Sequence, residues 1–175
     1  MEIMESKRQN LFQHAMAYGV VMGGLFSANF MLSTMGRVGN MLSYFVIGAI
    51  AYCTYYFACL FRDRECEGVL SYGKGLSYIV MLYFFAAVIS STVKFVFFTW
   101  ISPDFLANLL NQSILILEEM NLPSMDESVT MQILETMLSP MVYVFQSLWM
   151  NVFVGLFVGF VVAAFTKKET NLFEE

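Results

Sequence analysis

The stretch SYIVMLYFFAAVISSTVKFVFFTWI, residues 77–101, decides what this chain can fold into, because its single charged residue is Lys94. About 20 residues of helix cross roughly 30 Å of hydrocarbon. A run this long and this apolar cannot be hidden in the core of a small soluble domain. Three more runs of the same kind cover residues 12–34, 41–61 and 140–166. Backbone groups in lipid must be bonded within their own segment, so all four are expected to be helices. The expected fold class is therefore an all-α membrane protein, residues 1–175 forming a single four-span membrane domain. Composition agrees. The chain is 58% hydrophobic and 13% charged, about half the charge of an ordinary soluble domain.

The first span follows Lys7 and Arg8. Its apolar stretch is longer than a signal-peptide core and lacks a small-residue cleavage site, so it reads as a retained anchor. Orientation follows from the remaining basic residues. Arg62, Arg64 and Lys74 lie between spans 2 and 3, and Lys167 and Lys168 follow span 4. The other side has only Arg37, in the short connection MGRVGN. Positive charge is retained on the cytoplasmic side, which predicts both termini there.

Residues 102–139 are then expected outside as an amphipathic helical hairpin between helices 3 and 4. SPDF offers a serine cap and a proline at the first helical position, followed by apolar residues at helical spacing. Pro123 stops that helix, and Ser124 with Glu127 forms an S-x-x-E capping box for the next. Val129, Ile133, Leu134, Met137 and Leu138 share one side of the second helix, and Ser139-Pro140 opens span 4. The hairpin carries Asp104, Glu118, Glu119, Asp126, Glu127 and Glu135 and no lysine or arginine. Such a surface is either a solvated acidic face or a docking surface for a basic partner or a weakly held divalent cation. The ordered spacing of a calcium loop is missing.

Small residues recur every fourth position in two spans. Gly19 and Gly23 lie between Ala15 and Ser27 in span 1, and Asn151, Gly155 and Gly159 lie between Ser147 and Ala163 in span 4. Such seams let helix backbones approach closely in lipid. They are expected to carry helix contacts, either joining spans 1 and 4 within one chain or joining two copies. Asn29, Gln146 and Asn151 are expected to hydrogen-bond across the bundle, and His14 to present its ring to the headgroups. Tyr72, Lys74 and Tyr78 are expected to mark the headgroup level where span 3 enters.

Signatures of chemistry are missing. The sequence has no HExxH, GxSxG or P-loop, and no paired acids within a span. Cys53, Cys59 and Cys66 form no CxxC pair, and His14 is the one histidine, so neither a metal site nor a cofactor is expected.

The order of features also resembles a known family. A polar N-terminal segment leads into AMAYGVVMGGL, a basic turn precedes SYGKGLSY, SPDFLANLL follows span 3, and the chain ends TKKETNLFEE. Together these resemble a family of small bacterial inner-membrane proteins, domain of unknown function family 4199. Leu172 stands where the family's tail carries proline. The resemblance implies four spans and an envelope location, and it supplies no substrate or catalytic residue.

The expected function is that of a non-enzymatic scaffold or regulatory subunit, with a small oligomeric transporter or channel as the rival. The bilayer and either a membrane protein or a second copy are the expected partners; nucleic acid is not. Lys94 shares a helical face with Ala87, Ser90 and Ser91, and it lies about 9 Å along the axis before Trp100. It is expected to reach a hairpin carboxylate or to snorkel to the outer rim.

Overall fold

A computed structural model describes the backbone of residues 2–119 and 127–168, and the side chains of residues 11–116 and 131–168. It is all-helical: α1 (Glu2–Thr34), α2 (Gly36–Glu65), α3 (Tyr72–Val96), a π-helical turn (Phe97–Ile101), α4 (Asp104–Glu119), α5 (Glu127–Met137) and α6 (Pro140–Thr166). Among the described residues, four segments are long and apolar enough to cross a membrane: Leu11–Thr34, Gly36–Glu65, Tyr72–Ile101 and Pro140–Thr166. The chain forms two compact units, one of Met1–Ser90 with Leu148–Glu175 and the other of Ser91–Ser147.

The connection between α1 and α2 is shorter than MGRVGN suggests. Met35 alone separates the helices, and Arg37, Val38, Gly39 and Asn40 already belong to α2. Gly36 makes this possible with φ +76°, a left-handed conformation that a side chain would disfavour. Gly39 is buried, and a Cβ there would run into the Leu32 carbonyl and lie 2.8 Å from the Met35 Cβ.

In the larger unit, α3 is the helix on which the others pack. Its Tyr78, Ile79, Leu82, Tyr83 and Ala86 are buried among Ala15 and Met22 of α1, Phe57, Ala58 and Phe61 of α2, and Ala163 of α6. The glycine seams explain how the helices come so close. A Cβ on Gly19 would stand 2.6 Å from the Phe85 Cβ, and one on Gly23 would stand 2.7 Å from the Ile89 Cβ. On α6, a Cβ on Gly155 would stand 2.5 Å from Tyr83 Cγ, and one on Gly159 2.9 Å from Leu76 Cδ1. Both seams therefore face α3 and not each other. The large side chains of α3 fill the grooves that the small residues open.

One end of this unit is knitted together by main-chain bonds. Leu70 and Lys168 exchange N–H···O bonds of 2.9 and 3.0 Å in an antiparallel bridge. Nearby, the Arg62 guanidinium bonds Asp63 at 2.8 Å and reaches the Thr166 carbonyl at 3.5 Å. The end of α2, the start of α3 and the end of α6 thus lie together, bringing Arg62, Arg64, Lys74, Lys167 and Lys168 to one end.

In the smaller unit, the π-turn closes with the Ser102 N–H donating to the Phe97 carbonyl at 2.8 Å. That corrects the expected cap: Ser102 terminates the preceding turn, and α4 begins at Asp104, one residue after Pro103. The extra residue in the turn brings Phe97 and Phe98 inward. Phe98 stacks on Phe105 at 5.8 Å and meets Tyr143 edge-on at 5.3 Å. Leu134 of α5 and Leu138 just after it are half-buried while Ile133 and Met137 are exposed, so the expected apolar side is only partly covered. Tyr143 N–H bonds the Ser139 carbonyl at 2.9 Å, where α6 opens at Pro140. The Ser124–Glu127 capping box and the Val129 side chain lie outside the described residues.

Candidate functional site

Lys94 is the charged residue deepest in an apolar segment, three residues before the π-turn. Its side chain is half-buried, and its Nζ donates to Ser147 Oγ of α6. One turn of α3 earlier, Ser91 is 5% exposed and its hydroxyl is buried and unbonded. π-Helical turns are frequent at functional sites, where one extra residue re-aims the side chains around it. Here the turn follows Lys94, and its Phe97 and Phe98 belong to an aromatic cluster with Phe105 and Tyr143. The smaller unit thus combines an amine, a serine acceptor, a buried free hydroxyl and an aromatic cluster. Its chemistry suits holding an anionic or hydrogen-bond-accepting group.

Ser147→Ala should remove the acceptor of a hydrogen bond to a charged group, which is worth about 1.5–3 kcal/mol. Ser147→Thr should retain it. The expected result is a lowered thermal midpoint in detergent for the alanine variant alone, and equal behaviour of the two would show that the bond contributes nothing.

The expected carboxylates divide into two groups. Asp104 and Glu135 are exposed and make no ion pair among the described residues. The side chains of Glu118, Glu119, Asp126 and Glu127 lie outside the described residues. Ser90, beside Ser91 on α3, is fully buried with an unbonded hydroxyl, as is the Asn29 carbonyl oxygen on α1. Through that oxygen Asn29 makes no bond across the bundle among the described residues. Gln146 departs from expectation too: it is exposed on the outer surface of α6, because Ser147, its neighbour, takes the inward position. Asn151 is half-buried one turn before Gly155.

A second polar centre was not expected from the sequence. His14 is buried, and its Nδ1 hydrogen-bonds the Tyr78 hydroxyl at 2.9 Å. Its ring lies 4.4 Å from that of Tyr18 and 5.4 Å from that of Phe61, while Phe61 and Tyr78 stack in parallel at 4.3 Å. His14 and Tyr78 therefore turn into the bundle and not out toward its surroundings, packed against the rings of Tyr18 and Phe61. Tyr72 stays at the surface and donates to the Phe160 carbonyl at 3.3 Å, and Lys74 is exposed. The pairing of His14 with Tyr18 one turn later was the available sequence signal, since both stand on one helical face.

A family described as "Protein of unknown function (DUF4199)" matches residues 17–168. The chain belongs to this family. The DUF4199 match takes in Lys94, Ser147, both glycine seams and the π-turn, and His14 lies just before it. No curated protein and no solved structure matches the chain.

Proposed function

We propose that this protein is a non-enzymatic scaffold or regulatory subunit of an envelope complex, seated in the inner membrane of a bacterial cell. In this reading both termini are cytoplasmic, and the hairpin of residues 102–139 is periplasmic, where its acidic surface receives a partner. The reading draws on the tying of every other span to α3. Glycine seams bring α1 and α6 against it, His14 bonds Tyr78, and Thr54 Oγ1 of α2 meets the Tyr83 hydroxyl at 3.1 Å. Ser27, Thr54 and Thr166 also return their hydroxyls to their own helix backbones. Polar groups spent on fixing helices favour a rigid platform over a path that must open and close. The clustering of basic residues at one end of the larger unit supports the orientation.

Affinity purification in several mild detergents, with crosslinking and mass spectrometry in native membranes, tests this. A defined membrane or periplasmic protein should copurify, and its yield should fall when the hairpin acids are neutralised. Recovery of the bare protein under every condition would overturn the proposal.

One observation favours a transporter or channel instead: the half-buried Lys94 amine lies one turn from the unbonded Ser91 hydroxyl. Exposed Gln146 does not join them. Flux in proteoliposomes that is lost in Lys94→Met would establish this rival.

A further inference from the structure

His14 is the one histidine of the chain, and three helices close around it. It is 9% exposed. Tyr18 lies one turn further along α1, Phe61 comes from α2 and Tyr78 from α3, with ring centroids 4.4, 5.4 and 5.4 Å from the imidazole. Nδ1 is bonded to the Tyr78 hydroxyl, and Nε2 is buried with no partner among the described residues. Imidazole gains its proton close to neutral pH, so a buried ring held by one hydrogen bond is a place where acid can act.

The hydrogens at this bond decide what a proton does. With Nδ1 bare, Tyr78 donates to it, and only Nε2–H is left unmet. The other neutral tautomer leaves both Nε2 and the phenol hydrogen unmet, because Tyr78 is fully buried and makes no other hydrogen bond among the described residues. A proton arriving at Nδ1 turns that nitrogen from acceptor into donor. The phenol hydrogen and Nε2–H are then both stranded beside a buried charge, which is unfavourable. The surrounding rings return only part of this as a cation–π contact. On α2, half-buried Glu65 would attract the charge and exposed Arg64 would repel it, while Arg62 and Asp63 are paired with each other. Among the described residues neither Glu65 nor Arg64 forms an ion pair with His14. On α3, Lys74 is exposed one turn before Tyr78, and the helix carries no acid. The acids of α1 are Glu2 and Glu5, whose side chains lie outside the described residues.

We infer that His14 is a proton-sensitive latch between α1 and α3: neutral, it is held among the rings by Tyr78, and protonated, it leaves them and frees the start of the α1 span from α3. The latch does not depend on the scaffold role proposed above. Arg64, one turn beyond Phe61, is already exposed, so a ring that leaves the aromatic cluster finds polar surroundings nearby. Stability from the latch is full above the imidazole range and is lost as pH falls through it, because the packed state takes only the neutral ring.

The test compares the full chain with its His14→Phe variant in one mild detergent. A proton excluded from the packed state favours the loosened one by about tenfold for each pH unit below about 6.5. Between about pH 7.5 and 5.5 the wild-type thermal midpoint should therefore fall by about 3 °C more than that of His14→Phe. Carboxylates titrate lower and affect both proteins alike. Because the chain has one histidine, nitrogen-15 histidine labelling leaves a single imidazole to follow by NMR. Nδ1 should be bare in the form that contacts the Tyr78 ring, and the protonated form should appear as a second set of signals without that contact. An equal pH response of the two proteins, or a protonated imidazole that keeps its contact with Tyr78, would each overturn the inference. If His14→Phe fails to fold, the labelled wild type decides alone.

Discussion

Gly155→Leu should separate α6 from α3 and lower the thermal midpoint of the purified protein by on the order of 10 °C. The Cβ alone would fall 2.5 Å from Tyr83 Cγ and 2.8 Å from its Cδ1. Tyr83 cannot step aside easily. It is 2% exposed, its hydroxyl meets Thr54, and its ring stands edge-on to Phe26 at 5.3 Å. The strain therefore reaches α1 and α2 as well as α6, and overpacking of this kind is expected to cost about 3 kcal/mol, the upper end of the usual range. Gly155→Ala should fall between wild type and leucine, and Gly24→Leu, on an open surface of α1, should change little. A midpoint for Gly155→Leu within about 2 °C of wild type would mean that α6 does not rest on Tyr83 as described.

That dependence on Tyr83 shows what could and could not be read from the sequence. Apolar length alone placed the four spans within about five residues of their observed limits, although α1 itself begins ten residues earlier at Glu2, because hydrocarbon thickness and backbone bonding leave no other solution. The four-residue rhythm of small residues marked Gly19, Gly23, Gly155 and Gly159 as contacts, but a seam says nothing about what fills it. The filling comes from α3, whose Phe85, Ile89, Tyr83 and Leu76 are as apolar as any lipid-facing residues in the sequence. Gln146 and Ser147 show the same limit: adjacent positions on a helix point about 100° apart, and only the packing decided which of them meets Lys94. The π-turn after Val96 was hidden for a different reason, since one residue of extra winding leaves no mark on hydrophobic periodicity. His14 was placed at the headgroups by its position near the start of span 1, while its partners Phe61 and Tyr78 are remote in sequence and become neighbours only in the bundle.

Those partners lead to the other large expected effect. Tyr78 is fully buried, stacks on Phe61 with an interplanar angle of 2°, and supplies the hydrogen bond to His14 Nδ1. Tyr78→Ala removes ring and hydroxyl together and should cost about 3–5 kcal/mol, as other buried aromatic truncations do. Tyr78→Phe keeps the stack and removes only the hydroxyl. It leaves His14 with both ring nitrogens unbonded, since Nε2 is already buried without a partner, so the expected loss is about 1–3 kcal/mol. His14→Phe in the Tyr78→Phe background should then recover part of that loss, because an apolar ring in the same aromatic surroundings has no nitrogen left to satisfy. Thermal midpoints of the four proteins in one detergent measure this directly. If Tyr78→Phe matched wild type, the bond between α1 and α3 would contribute nothing, and the stack with Phe61 alone would hold that end of the bundle. A double variant no more stable than Tyr78→Phe would instead show that the cost lies in α3 itself and not in the stranded imidazole.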